Sequence, residues 1–172
     1  MGIPRGGVAV AAAVSRSLGV DLDLLVSRKV GVPIQPELAL RAVTADGAQF
    51  MNQALARELG VSRWMFRVLA DEQRAEARRC EQRLRRRRPA PHLAGRTVIL
   101  VDDGLATGAT IRAAIRSVRQ ACPARLVVAA QPTCEALRAE ADELICLLVQ
   151  AGVSEAGPGS IRHAVVSRGK SI

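Results

Sequence analysis

The sequence predicts an α/β protein with a doubly wound parallel sheet. Three short and almost continuously apolar segments carry this prediction, at 97–101, 126–130 and 143–148. Strands that are covered on both faces have this composition. Helical segments at 108–120 and 133–139 separate them. A regular alternation of strand and helix is typical of a parallel sheet with helices on its faces.

The part of the chain before residue 97 is predicted to start with a glycine-containing loop and a helix of small residues that stops at Gly19. Two strands follow, separated by a turn-rich loop at 31–36, and the second ends at the turn signal of Asp46 and Gly47. Two helices and a connector complete this part. The predicted bounds are 8–18 for the first helix, 22–26 and 37–43 for the strands, 52–59 and 62–87 for the later helices, and 89–95 for the connector.

The domain organisation follows from length and local composition. A chain of 172 residues favours one domain with a sizeable core. We predict this domain over 1–149, with 47–95 as a mainly helical insertion and connector. Residues 150–172 are rich in Gly, Ser and Pro and end with basic residues, which predicts a flexible tail.

Composition excludes several classes of protein. With 49% hydrophobic and 24% charged residues, the chain is neither disordered nor collagen-like. It has no apolar run near the roughly 18 residues of a membrane span, and its first residues lack a signal-peptide pattern. We therefore predict a cytoplasmic protein. Four cysteines without a C-x-x-C pair predict reduced thiols and no zinc site.

Basic residues are concentrated in one stretch of the chain. The formal net charge is +9, and 63–88 alone contains ten arginines against four acidic residues. The favoured interpretation is a solvated helix whose last turn carries cations that suit the helix dipole. The other is a patch for phosphate-rich ligands. With only 2% aromatic residues there is little to stack on bases, which argues against recognition of single-stranded nucleic acid.

The most informative segment combines two acidic residues with a small, hydroxyl-bearing loop. The strand at 97–101 leads directly into Asp102 and Asp103, at the strand end where open α/β sheets bind their ligands. The following loop contains Thr107 and Gly108 and opens a helix, whose free N–H groups and dipole suit a phosphate monoester. Ionised carboxylates accept hydrogen bonds from hydroxyl groups. A ribose 5-phosphate combines both features.

Other phosphate-binding motifs do not match this segment. A P-loop requires G-x-x-x-x-G-K-[ST] and a dinucleotide fingerprint requires G-x-G-x-x-G, and both are absent. A phosphatase with an aspartyl nucleophile would space its carboxylates two residues apart, whereas Asp102 and Asp103 are adjacent. A helix cap without ligand function remains the structural alternative.

The segment resembles the phosphoribosyl-diphosphate-binding motif of type I phosphoribosyltransferases, which is an apolar strand, two acidic residues and a loop of the form x-x-A-T-G-x-T. Two further elements agree. The sequence PRGG at residues 4–7 resembles the family's N-terminal diphosphate loop, and RKVG at 28–31 with PELA at 36–39 resembles an uncharacterised bacterial subgroup. The likeness covers 2–149 and implies the type I fold, with a helical insertion before the phosphate-binding strand.

The resemblance implies a role for each matching residue. Asp102 and Asp103 would hold the ribose hydroxyls during transfer of the phosphoribosyl group to an acceptor. Mg²⁺ would accompany the diphosphate through substrate and water, without direct ligation by the protein. The family also implies a homodimer. The residues that would bind substrate are Arg5, Gly6, Gly7, Arg28 and Lys29 on the diphosphate side, and Ala106, Thr107, Gly108, Ala109 and Thr110 around the 5-phosphate.

Several features leave alternatives open. Some purine-type members have an aspartate where this chain has Ala106, so the motif offers no general base for the acceptor. Little chain precedes the PRGG loop, and the strand that would feed it is expected to be missing. Arg28 and Lys29 follow a predicted strand and could be surface charges.

The alternative function is a non-catalytic sensor of phosphoribosyl diphosphate that binds nucleic acid through the basic stretch. The acceptor is not identified. The aromatic residues Phe50, Trp64 and Phe66 could line an acceptor pocket, but helix packing is the favoured interpretation.

Overall fold

A computed structural model describes residues 1–32, 35–58, 63–86, 88–103, 108–130, 137–148 and 165–168. The described part contains four helices and seven strands. The helices are α1 (Gly6–Leu18), α2 (Gln53–Glu58), α3 (Arg63–Arg85) and α4 (Ala109–Gln120). The strands are β1 (Ser27–Val32), β2 (Gln35–Thr44), β3 (Gln49–Met51), β4 (Thr97–Val101), β5 (Arg125–Ala130), β6 (Glu143–Leu148) and β7 (Val165–Arg168).

The central sheet has the strand order β4-β5-β6-β7. Strands β4, β5 and β6 are parallel, as the sequence predicts, and β7 is antiparallel at the edge. Strand β7 lies within the segment that was predicted as a tail, whereas 149–164 and 169–172 lie outside the described residues. The parallel arrangement brings the carboxyl ends of β4, β5 and β6 to one edge, where such sheets bind ligands.

The first residues of the chain extend this sheet beside β4. Gly2 forms parallel bridges with both Leu24 and Val101. The amide of Ile3 donates to the Val101 carbonyl at 2.9 Å, and the Leu25 amide donates to Gly2 at 3.1 Å. Backbone pairing thus sets the residues before the PRGG loop in the sheet, although the sequence predicted no strand there.

Helices cover both faces of the parallel sheet. On one face, α4 packs Ile111, Ile115 and Val118 against alternate residues of β4 and β5, including Leu100 and Val128, and these side chains are almost fully buried. On the other face, Ala11 of α1 packs against the alternate residues of β4 and β5, whose side chains point away from α4. Side chains of a strand alternate between faces, so a continuously apolar strand is explained by helices on both sides.

A second sheet of three antiparallel strands, in the order β1-β2-β3, lies between α3 and α4. Val30 and Val43 face α3 and cluster with Ala70. Ala42 faces the other way, and clusters with Ala109 and Ala113 of α4. Helix α4 therefore packs between the two sheets and holds them together.

The antiparallel sheet corrects several predictions. The strand predicted at 22–26 is a single bridge at Leu24, and the strand begins instead at Ser27. Much of the loop predicted at 31–36 belongs to β1 and β2. The short strand β3 also falls within 47–95, beside α2 and α3 of this mainly helical region. The helix predicted at 133–139 falls largely on residues outside those described. No helix of the described residues is long and apolar enough to cross a membrane.

Helix α3 is anchored near its end by a half-buried ion network. Arg85 pairs with Asp23 at 3.0 Å and with Glu81 at 2.9 Å, and it also donates to the Leu24 carbonyl at 2.8 Å. Burial raises the pKa of the Glu81 carboxyl, against the opposing hydrogen bond from Val26 and the Arg85 charge. This network fixes the end of α3 against the segment that leads into β1.

The turn between β2 and β3 is stabilised by Asp46. Its carboxylate accepts hydrogen bonds from the Ser117 hydroxyl at 2.6 Å, from the Ala48 amide at 3.2 Å and from the Thr44 hydroxyl. Burial opposes ionisation, but these hydrogen bonds together hold the pKa of Asp46 below its ordinary value. The Asp46 carboxylate thus links the β2–β3 turn to Ser117, in the third turn of helix α4.

We expect Asp46→Asn to lower the free energy of unfolding by about 1 kcal/mol at neutral pH, after allowing for solvent screening. Because the folded-state pKa is lowered, this stabilisation is present above the unfolded pKa near 3.9 and is lost as pH falls through the folded pKa. Urea unfolding between pH 3 and pH 7 should show the wild type and variant converging at acid pH. Glu72→Gln, at an exposed site on α3, is the control. A difference that persists undiminished at low pH would contradict this account.

Candidate functional site

Two carboxylates lie at the carboxyl end of β4, in different environments. The Asp102 amide donates to the Ala129 carbonyl of β5 at 3.0 Å, which continues the sheet by one residue. The Asp102 side chain is only 6% exposed, whereas Asp103 is exposed. Asp103 is therefore the carboxylate that can reach a ligand directly, whereas Asp102 is buried.

The PRGG loop lies against these carboxylates. An ideal Cβ atom on Gly6 would lie 1.6 Å from the Asp103 Oδ2 atom, and one on Gly7 would lie 2.7 Å from the Val101 carbonyl oxygen. The absence of side chains at Gly6 and Gly7 is what allows this close approach. Helix α1 begins at Gly6, so its N-terminal dipole faces the Asp103 carboxylate. Residues nearly one hundred positions apart thus form one site.

Arg5 lies at the outer side of this loop. It occupies the N-cap position of α1 without a capping hydrogen bond from its side chain, and it is exposed. Its guanidinium is therefore available to an anion that approaches the N-terminus of α1.

The N-terminus of α4 forms the next part of the site along the chain. Gly108 has φ +68° and precedes the first helical residue, Ala109. This left-handed conformation favours glycine, although a Cβ atom there would meet no neighbour within 4 Å. Thr110 is half-buried in the first turn. Ala106 and Thr107, which were also predicted to bind the phosphate, lie outside the described residues.

The antiparallel sheet separates the two basic residues that were predicted together. Lys29 is paired directly with Ala42, and residues paired in this way share one face of the sheet. That face packs on Ala109 and Ala113 of α4, so Lys29 lies on the α4 side and is exposed. Arg28 lies on the α3 side, where its Nε donates to Gln73 Oε1 at 2.8 Å. The structure brings Lys29, and not Arg28, towards the site.

The β1–β2 hairpin extends beyond the N-terminus of α4. Helix α4 runs alongside β2 in the same direction, because Ala109 clusters with Ala42 while Ser117 contacts Asp46. The part of β2 before Ala42 therefore continues past Ala109 by several residues, at about 3.3 Å per residue. The sequence pattern did not predict this extension of β2 past the start of the helix.

The aromatic and cysteine residues do not form an additional centre in the described residues. Phe50 lies on the α4 face of the antiparallel sheet, with the guanidinium carbons of Arg112 and Arg116 at 4.9 and 5.1 Å from its ring centroid. Trp64 is 74% exposed on α3. Cys80 and Cys122 are free thiols, and no group of three potential metal-binding side chains occurs among the described residues.

Comparison with known proteins identifies the family. Residues 1–159 match the phosphoribosyl transferase domain. The chain belongs to this family. Its relatives include "Putative phosphoribosyl transferase Rv0571c" from Mycobacterium tuberculosis H37Rv and the protein named MT0597 from strain CDC 1551, each 39% identical over 163 residues and matched by 92% of this chain. The chain spans 37% of the length of these relatives.

A solved structure also resembles this member of the phosphoribosyl transferase domain family. The crystal structure of TT1426 from Thermus thermophilus superposes with a TM-score of 0.68 at 42% sequence identity. The match covers 89% of this chain and 74% of that one. The α/β fold with its parallel sheet is therefore shared with a protein of clear sequence similarity.

Proposed function

We propose that this phosphoribosyl transferase domain binds 5-phosphoribosyl 1-diphosphate with Mg²⁺ and transfers the phosphoribosyl group to an acceptor, with release of diphosphate. The observation that carries this proposal is the contact between the PRGG loop and the acidic pair. It places N–H donors, which suit a diphosphate, beside carboxylates, which suit ribose hydroxyls.

Three anion-binding features surround the proposed position of the substrate. The first turn of α1, with Arg5, would receive the diphosphate. The first turn of α4, from Gly108 to Thr110, would receive the 5-phosphate, because free backbone N–H groups and the helix dipole both favour an anion. Lys29 would approach from the hairpin side with a single positive charge. Asp103 would accept hydrogen bonds from the two ribose hydroxyls between these anionic ends.

The residues present fit Mg²⁺ that arrives with its substrate. Magnesium ions usually keep several waters and use one or two carboxylates together with substrate phosphates. Among the described residues, Asp103 is an exposed carboxylate beside the proposed diphosphate position, and no all-protein cage is formed. When bound, Mg²⁺ would neutralise charge on the leaving diphosphate.

The chemistry proposed for this chain needs no protein nucleophile. The bond between the anomeric carbon and the diphosphate oxygen breaks as the acceptor's lone pair forms the new bond, through an oxocarbenium-like state. The loop at Gly6 and the charges of Arg5 and Lys29 would stabilise the negative charge that develops on the departing oxygen. Asp103 would hold the ribose in position, and its charge would favour the cationic sugar.

Two measurements test this proposal. Calorimetric titration with 5-phosphoribosyl 1-diphosphate and Mg²⁺ should show one site per chain, and omission of Mg²⁺ should weaken binding. A diphosphate-release assay with a panel of purine and pyrimidine bases should then identify the acceptor. Absence of binding would contradict the proposal. Binding without turnover against the whole panel would favour the alternative of a sensor.

The two neighbouring basic residues provide a matched pair of variants. We expect Lys29→Met to weaken binding of 5-phosphoribosyl 1-diphosphate about tenfold, because one charge-assisted contact is lost. Arg28→Met should leave the affinity within about twofold, since Arg28 contacts Gln73 on the opposite face. Titration of both variants measures this difference. Equal losses would show that the two charges act only at long range.

A further inference from the structure

A cleft on the side of α3 that faces the β2–β3 turn is distinct from the candidate site. It has a volume of about 730 Å³ and is lined by residues on one face of α3, among them Arg78 and Gln82, and by Arg88 after the end of the helix, with Ala45 and Asp46 on the opposite wall. Its α3 residues recur at helical spacing over about two turns, from Arg78 to Arg85, so the cleft is elongated along the helix.

The carboxylates that line this cleft are occupied by internal contacts. Glu81 accepts the Val26 amide at 2.9 Å and pairs with Arg85 at 2.9 Å. Asp46 accepts the Ser117 hydroxyl at 2.6 Å and the Ala48 amide at 3.2 Å. Arg85, the third arginine of the cleft, is likewise paired with Asp23 and Glu81. These acidic groups are thus committed to the fold.

Two arginines of the cleft are exposed and have neutral partners. Arg78 donates to the Ala45 carbonyl at 3.5 Å, and Arg88 donates to the Arg85 carbonyl at 3.4 Å. Within the part of the chain that the structure describes, no carboxylate lies within ion-pair distance of either. Three further exposed arginines, Arg79, Arg83 and Arg86, lie beside them, and of these Arg79 pairs with Glu76 at 2.9 Å. The surface therefore presents positive charge to solvent.

The spacing of these charges suits an extended anion. The cleft residues of α3 run from Arg78 to Arg85, which corresponds to about 10.5 Å along the helix axis, and Arg88 lies just beyond the end of the helix. One strand of duplex nucleic acid presents a phosphate about every 3.4 Å along its axis, so this distance spans a few successive phosphates. None of the described residues that line the cleft is aromatic, so they offer no platform for base stacking.

We propose that this cleft and its flanking arginines bind the phosphodiester backbone of double-stranded nucleic acid without reading its sequence. Arginine donates two parallel hydrogen bonds to a phosphate, which suits this contact. Binding here is independent of the phosphoribosyl-diphosphate site, because α3 lies on the opposite face of the antiparallel sheet from α4.

The test is fluorescence anisotropy with a labelled 20-base-pair duplex over a series of potassium chloride concentrations. Each of Arg78→Gln and Arg88→Gln should reduce the slope of log K against log salt by about 0.9 and weaken binding at low salt about tenfold. Arg16→Gln removes the same charge from the exposed end of α1 and should leave the slope unchanged. Thermal unfolding of each variant confirms that it is folded.

Three outcomes would overturn the proposal. The first is no binding of the duplex at 50 mM salt, where phosphate contacts are strong. The second is an equal change of slope in Arg16→Gln, which would show a response to net charge alone. The third is binding of single-stranded dT20 but not of the duplex, or equally tight binding of polyglutamate. Tighter binding of the duplex than of dT20 supports the proposal, because the described residues that line the cleft include no aromatic side chain to stack on unpaired bases.

Discussion

Asp103→Asn is expected to weaken binding of 5-phosphoribosyl 1-diphosphate about 100-fold, while the midpoint of thermal unfolding changes little. Hydrogen bonds to a charged group contribute about 1.5–3 kcal/mol each, and the proposed site uses two ribose hydroxyls as donors to this carboxylate. Asp103 is exposed, so its replacement by an isosteric amide leaves the core intact. Isothermal titration calorimetry measures the affinity, and differential scanning calorimetry measures the midpoint of thermal unfolding.

Asp71→Asn is the control for this variant, because Asp71 is an exposed carboxylate on α3. It removes the same charge at a distance from the PRGG loop, and it should leave the affinity within about twofold. An Asp103→Asn variant with unchanged affinity would remove the ribose assignment. A large fall in thermal stability would instead give Asp103 a structural role at the start of α1.

The glycine pair of the PRGG loop is expected to separate function from stability. Gly6→Ala places a methyl group where the Asp103 carboxylate lies. That carboxylate is the end of an exposed side chain and can rotate away, so the fold should tolerate the change. The proposed site should not, because Asp103 loses its position. We expect the affinity for 5-phosphoribosyl 1-diphosphate to fall at least about tenfold, because a displaced Asp103 carboxylate no longer holds the ribose in place.

Gly7→Ala should have a different effect. Its methyl group would meet backbone atoms, with the Val101 carbonyl oxygen at 2.7 Å and the Asp102 Cα at 3.0 Å. Backbone in the middle of a sheet cannot rotate aside, and such overpacking costs about 1–3 kcal/mol. Urea unfolding of both variants measures the contrast. Equal stability losses at Gly6 and Gly7 would contradict the geometry of the loop.

The parallel sheet was predictable from the sequence because its strands are apolar on both faces. Strands β4 and β6 begin and end where the sequence predicts them, and α4 starts within one residue of the prediction. The acidic pair was singled out because two adjacent acidic residues are unusual directly after a buried strand, and the PRGG loop because it resembles the family's diphosphate loop. The contact between the two was not predictable from local sequence, and their binding roles stay predictions.

The antiparallel sheet was harder to predict because turn-forming residues occur inside it. Gly31 and Pro36 indicate a loop, but the structure places them in β1 and β2, with register shifts on both sides of Gly31. Irregular pairing of this kind accommodates glycine and proline in a strand. This error also affected the prediction of the binding residues, because only the strand pairing shows that Lys29 and Arg28 point to opposite faces of the sheet.

The hydrogen bonds of the first three residues have a consequence for how the chain folds. Gly2 and Ile3 pair with Val101, so the contact that positions the PRGG loop joins residues about one hundred positions apart. Contacts of such long sequence separation form slowly, because their loop-closure entropy is lost before they stabilise the chain. During synthesis, the PRGG loop leaves the ribosome long before β4 exists. Binding of 5-phosphoribosyl 1-diphosphate at the proposed site should therefore appear late in refolding, after helical signal has recovered.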